Sequence, residues 1–324
     1  MKNNNRTRKE FEGILDRHFE GVLNDNPMMA NELGLRSGEG QVGKMGMGFE
    51  RRQEGRRQQT LANLGKLAVN ELSQEQHLDR LALRSMLLAE CEDYGRGLHK
   101  LEPDAVDRGF GILLHELQRG EDEPSRAKRN IRGVLREAPI YLLKAARLID
   151  RPERVWRNIM QQSVAGAGAL FDAVQSFLGQ KDIKLIVSAQ RAVVRYHDKV
   201  MDRQLAPRNS FALGANCLQR RVRDELGLDY TLGQVEALAL AEAGRIGELL
   251  KKACAKHGKA KSAEVIIEEA RANWKPSGGL LDIYRAETKR VADGFRAAKA
   301  VTFPKDDELQ VRLVPEFMRH LYHT

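Results

Sequence analysis

Residues Leu205 to Gln234 read LAPRNSFALGANCLQRRVRDELGLDYTLGQ. A proline-broken loop gives way to a small-residue turn, then to a short amphipathic run. Thr231 and Gln234 close the stretch as a capping box, the pattern in which a hydroxyl and a side-chain amide satisfy the free amides at a helix start. This is helix punctuation, and it sets the fold class for what lies on either side.

Downstream, Val235, Leu238, Ile246, Leu249, Leu250 and Ala253 fall on one face of a helix that Gly258 ends. Leu280 to Ala300 predicts the last long helix. Pro304 and Pro315 then break the chain, and Gln310 to Val314 is read as a short strand. Upstream, Asn26-Pro27 reads as an N-cap followed by a first-turn proline. Leu61, Leu64, Ala68 and Leu72 form an apolar stripe, and Ser73 with Gln76 makes a second capping box. Ser125 is placed to cap a helix that Pro139 interrupts, with Ile140 to Ile149 continuing beyond it. Asp182 opens a further helix through Val193, Val194 and Val200. The expected class is all-α or nearly so, a multi-helix array with at most one short β element near the C-terminus. Residues 1–10 read as a polar leader, 11–300 as a helical domain with a glycine-rich loop at 37–48, and 301–324 as an extended tail.

The composition is that of a globular protein: 324 residues, 42% hydrophobic and 31% charged. No apolar run approaches the ~20 residues needed to cross a bilayer, and the opening MKNNNRTRKEFE lacks the apolar core of a secretory signal. Three scattered cysteines, Cys91, Cys217 and Cys254, argue against a disulfide framework. The expected compartment is the cytoplasm. The net charge is +9, but 45 acidic residues are interspersed among 54 basic ones. Arg51, Arg52, Arg56 and Arg57 form one basic cluster. Arg126, Lys128, Arg129, Arg132 and Arg136 form a second, and Arg220, Arg221 and Arg223 a third. Each has acids nearby, and none has the interleaved aromatics of a stacking platform. A nucleic-acid partner is therefore the weakest of the functional readings.

Candidate chemistry is incomplete wherever it starts. Gly38, Gly40 and Gly43 satisfy G-x-G-x-x-G, and with Lys44 they nearly satisfy a phosphate loop. Met45 replaces the hydroxyl, however, and the preceding PMMANELGLR reads as helix where a strand is required. The segment is expected to be mobile or draped over a surface. His115 and Glu116 begin a His-Glu-x-x-His pattern that ends on Arg119, one imidazole short of a zinc pair. Cys254 with His257, and His320 with His323, would each need two more ligands. Trp156 and Trp274 read as core or groove anchors. The sequence assigns no catalytic, cofactor-binding or metal-ligating residue.

The ordered landmarks nevertheless resemble one family, the bacterial domain-of-unknown-function family 885, a group of zinc-metallopeptidase-like helical proteins. His18, Phe19, Asn26-Pro27, Ala30 and Leu33-Gly34 are similar to its P-x-x-A-T-x-L-G segment, although Asn31 stands where the threonine is common. Asp79 and Leu83 resemble its D-x-x-x-L helix, Pro139 to Leu142 its P-x-Y-L break, and Pro152 to Trp156 its P-P-x-x-W turn. Phe211 to Gly214, then Leu226 to Asp229 and Thr231, match its loop–helix–cap passage. Val301 to Phe317 resembles its closing stretch.

The resemblance implies the N-terminal half of a zincin-like helical metallopeptidase. It also implies that the His-Glu-x-x-Pro-Gly-His zinc segment lies beyond Thr324. Zinc is thus implied for full-length relatives and for no residue of this chain. The expected role is a catalytically incomplete cleft wall or scaffold that needs a complementary polypeptide carrying the zinc half. The alternative is a stand-alone helical binding or scaffold protein that forms a homo-oligomer.

Overall fold

A computed structural model of the chain describes residues 2–257, 261–276, 278–304, 309 and 311–313. Among them are twelve α-helices and no strand. Of the expected strand, residues 311–313 have no regular structure, and Gln310 and Val314 lie outside the described residues. The chain divides into two units, Met1–Leu232 and Gly233–Thr324.

The first unit is built in two helical layers. In the larger, α5 (Ala105–Arg119), α6 (Pro124–Leu148), α7 (Arg154–Leu178) and α8 (Ile183–Met201) pack together. Their sequences explain this. On α8, Ile186, Ala189, Val193, Tyr196 and Val200 recur at intervals of three and four and are all buried. On α6, Ile131, Val134, Leu135, Ala138, Leu142 and Ala145 do the same. Phe110 of α5 meets Phe171 of α7 edge to face, with ring centroids 5.4 Å apart. Each fully buried large side chain contributes about 1.5–3 kcal/mol of hydrophobic stabilisation.

The smaller layer is α1 (Lys2–Asp25), α3 (Met47–Gly65) and α4 (Gln74–Gly95). Its own core is Phe11, Ile14, Leu64, Leu67, Leu83 and Leu87. Residues read as a polar leader therefore belong to α1, which starts at Lys2. The short α2 (Pro27–Glu32) packs against α1 and α5, and α9 (Ala215–Asp224) lies on α4.

Two of the capping signals are where they were expected. Asn26 accepts a hydrogen bond from the Met29 amide at 3.2 Å, and Ser73 and Gln76 exchange both bonds of a capping box. Pro139 does not interrupt its helix. α6 runs through it from Pro124 to Leu148, starting after Glu123 and not at Ser125. Pro139 is half-buried at the bundle edge. The carbonyl that loses its donor is that of Leu135, which is fully buried, so packing of the helix on both sides of Pro139 outweighs the ~3 kcal/mol cost of an interior proline.

The second unit holds α10 (Leu232–Ala255, which begins at the seam), α11 (Ala263–Asn273) and α12 (Leu280–Ala298). α10 and α12 occupy the stretches their periodicity predicts. No described residue of the three helices is buried.

Candidate functional site

The glycine-rich loop is draped, and closely. A Cβ on Gly38 would lie 2.5 Å from the Pro27 carbonyl oxygen, and one on Gly133 of α6 would lie 2.3 Å from that of Gly40. The Val42 amide donates to Glu137 Oε2 at 3.0 Å, and Val42 and Met45 are buried. Lys44 pairs with Asp25 at 2.8 Å. The loop follows α2 and not a strand, so it lacks the strand–loop–helix setting in which backbone amides converge on a phosphate.

Glu116 is fully buried on α5 in a polar knot. Its Oε1 accepts from Asn31 Nδ2 at 3.0 Å and from Arg119 Nη1 at 2.7 Å, and Asn130 Nδ2 donates to both oxygens at 3.2 Å. Arg119, the residue that spoils the zinc pattern, also donates to Asn31 Oδ1. These groups satisfy one another within the protein. Among the described residues no three His, Cys, Asp or Glu side chains stand close enough to hold a metal. Among the described residues the donor set therefore does not fit zinc. Cys254 and His257 are in or after the last turn of α10, and His320 and His323 lie outside the described residues. All three cysteines are free, and burial pushes Cys91 up to about 11, far from a reactive thiolate.

The basic clusters are largely paired. Arg56 meets Asp25 at 2.8 Å, Arg57 meets Glu90 at 2.7 Å, and Arg132 clamps Asp182 with three hydrogen bonds of 2.9–3.1 Å. Arg126 pairs with Glu39, Arg220 with Glu92, and Arg221 with Asp93 at 2.6 Å. Trp156 is half-buried against Phe211, with centroids 5.7 Å apart. Trp274, expected in a core or groove, is 60% exposed.

The chemistry that the sequence did not disclose lies between the two layers of the first unit. A cavity of about 320 Å³ opens there, lined by residues of α3, α4, α5, α6, α8 and the α4–α5 connection. Glu50, a residue 8% exposed in the first turn of α3, contributes a carboxyl. Glu102 and Asp104 enter from the α4–α5 connection and Arg108 from α5. Asp104 leaves its cap position without a side-chain capping bond and instead meets Arg108 Nε at 2.6 Å. Arg108 lines the cavity with 61% of its side chain accessible.

Burial raises the carboxyls of Glu50, Glu102 and Asp104 above their ordinary range, and Arg108 offsets each only in part. Burial opposes the charge of Arg108 itself, but Asp104 and, further off, Glu50 and Glu102 hold it as a cation. His99 stacks on Tyr94 with centroids 4.8 Å and planes 9° apart. Burial, then Lys100 and Arg57, lowers its imidazole below the ordinary value, and neither ring nitrogen has a hydrogen-bond partner. The Tyr196 hydroxyl lies near the Ala105 amide without making a hydrogen bond of regular geometry. One buried and two half-buried acids beside a retained cation and a neutral imidazole form the kind of constellation that marks functional clefts. No local signal could have found it, because Glu50 and Glu102 are separated by a whole helix and each reads alone as a helix-start acid.

The second unit shows a different feature. On α12, Leu280, Tyr284, Val291 and Phe295 form a stripe, and all are exposed. On α10, Leu238, Ile246, Leu249 and Leu250 are each half exposed or more. Val265 and Ile267 of α11 are similar.

A family model described as "Bacterial protein of unknown function (DUF885)" matches residues 27–324. No curated protein matches the chain, and no solved structure does.

Proposed function

Since the chain belongs to that bacterial family of unknown function, we propose that it is a helical scaffold whose second unit docks a complementary helical polypeptide. In that assembly it forms one wall of a cleft. Any hydrolytic centre, with its zinc on a His-Glu-x-x-Pro-Gly-His segment, is supplied by the partner. The observation that carries this reading is the absence of any buried side chain among the described residues of α10, α11 and α12, although each bears large apolar residues. An amphipathic helix gains its stability by covering its apolar stripe, and contiguous uncovered stripes mark interaction surfaces. The partner it fits is an α-helical surface with an apolar face, packed as ridges into grooves.

Co-expression with a polypeptide carrying the zinc segment, followed by affinity capture and light scattering, tests the reading. A stoichiometric complex lost on Leu238→Asp and Phe295→Asp is expected. A monomer that ignores that polypeptide and keeps a stable second unit would overturn it. A second copy of the chain covering the same stripes would support the stand-alone oligomeric scaffold instead.

A further inference from the structure

The cavity between the two layers contains an unbalanced set of charges. Arg57 is paired with Glu90, Arg108 with Asp104, and Asp93 with Arg221. That leaves Glu50 and Glu102 with neither an ion pair nor a hydrogen bond, although both line the cavity. Glu50 is more than nine-tenths buried, and a buried carboxyl without a partner is costly, whichever protonation state it takes. His99 adds two ring nitrogens without partners, one of them an acceptor in the neutral ring. Beside the Tyr196 hydroxyl, which can donate or accept, the unmet groups are mostly acceptors, and what the two carboxylates lack is a donor that carries positive charge.

A metal ion does not meet that need, because no three ligating side chains among the described residues converge on one point. The remainder of the lining suits a longer ligand. Leu98, Leu148 and Ile149 offer apolar wall for a methylene stem, and the stacked Tyr94 and His99 offer ring surface beside it. A volume of about 320 Å³ is at the small end of ligand pockets.

We propose that this cavity is a binding site for an alkylammonium group, with Glu50 and Glu102 as its counter-charges and His99 as an additional acceptor. Two sources share this chemistry, a free diamine and the lysine side chain of a polypeptide. The site lies wholly within the first unit and stands independently of the docking role of α10–α12.

The test is calorimetric titration of the full chain at neutral pH with 1,5-diaminopentane and with Nα-acetyl-lysine amide. 1-Pentanol and pentanoate serve as controls of the same stem without the positive charge. Saturable binding of at least one amine, with none for either control, is expected. Tighter binding of the diamine assigns a free amine, and tighter binding of the acetylated lysine assigns a polypeptide lysine. E50Q/E102Q is expected to weaken binding at least ten-fold. Should the double variant lose its thermal transition, E102Q alone, at a half-buried position, is expected to weaken binding several-fold. The proposal is overturned if neither amine saturates, if pentanol or pentanoate binds as well as the amines, or if a folded variant binds like the native chain.

Discussion

Asn31 Nδ2 donates to Glu116 Oε1 across 3.0 Å, joining α2 to the buried face of α5. Asn130 of α6 completes the contact from the other side. The residue pair that begins a zinc pattern in the sequence is thus divided in the fold: Glu116 is fully buried, while His115 is 41% exposed.

Removing Glu116 leaves two amides and a guanidinium without their acceptor. Glu116→Ala should lower the stability of the first unit by about 3 kcal/mol or more, the cost of orphaning buried polar and charged groups. His115→Ala should change it by less than about 0.5 kcal/mol, as exposed positions usually do. Urea denaturation of both variants checks the contrast, and equal effects would contradict the structural role of Glu116.

Two helical glycines should respond oppositely to alanine. At Gly133 the new methyl meets the Gly40 backbone at 2.3 Å, and neither chain can yield without moving the loop. Gly133→Ala should cost about 1–3 kcal/mol. Gly166, within α7, has nothing within 4 Å, and Gly166→Ala should add about 0.5–1 kcal/mol. Thermal denaturation reads both.

Two carboxyls should respond oppositely to pH. Burial raises Glu50 from its ordinary 4.5, so the folded chain holds that proton to higher pH than the unfolded one. The stability tied to it is complete below about pH 4 and is lost as pH rises through the folded value. Glu50→Gln should therefore match the native chain in acid and exceed it near neutrality. Asp25 is the reverse case: burial opposes its charge, but hydrogen bonds from Lys44 and Arg56 win and hold it below its ordinary 3.8. Its contribution is present above that value and lost as pH falls, so Asp25→Asn should be weaker at neutral pH and converge on the native chain in acid. Urea midpoints across pH 3–8 decide both signs.

Local chemistry was legible in the sequence. The Asn26-Pro27 start, the Ser73–Gln76 box and the helix that Asp182 opens are properties of a few adjacent residues, and each reappears as read, although Val194 on that helix is exposed while Val193 and Val200 are buried. Pro139 was misread because its cost is local while the packing that outweighs it is tertiary. The cavity was illegible for a similar reason. Glu50, Glu102 and Arg108 acquire their meaning only when α3, the α4–α5 connection and α5 come to line one cavity, and no periodicity encodes that approach. The apolar face of α10 was visible as periodicity, but not that no described residue of α10 or α12 is buried.

The docking role of the second unit is tested most directly by amide hydrogen exchange along α10, α11 and α12, for the chain alone and with the complementary polypeptide. Helices without a single buried side chain among their described residues open readily. Rapid exchange alone and strong protection in the complex, centred on Leu238–Leu250 and Tyr284–Phe295, is the expected result. Strong protection in the isolated monomer, or exchange that the partner leaves unchanged, would contradict it.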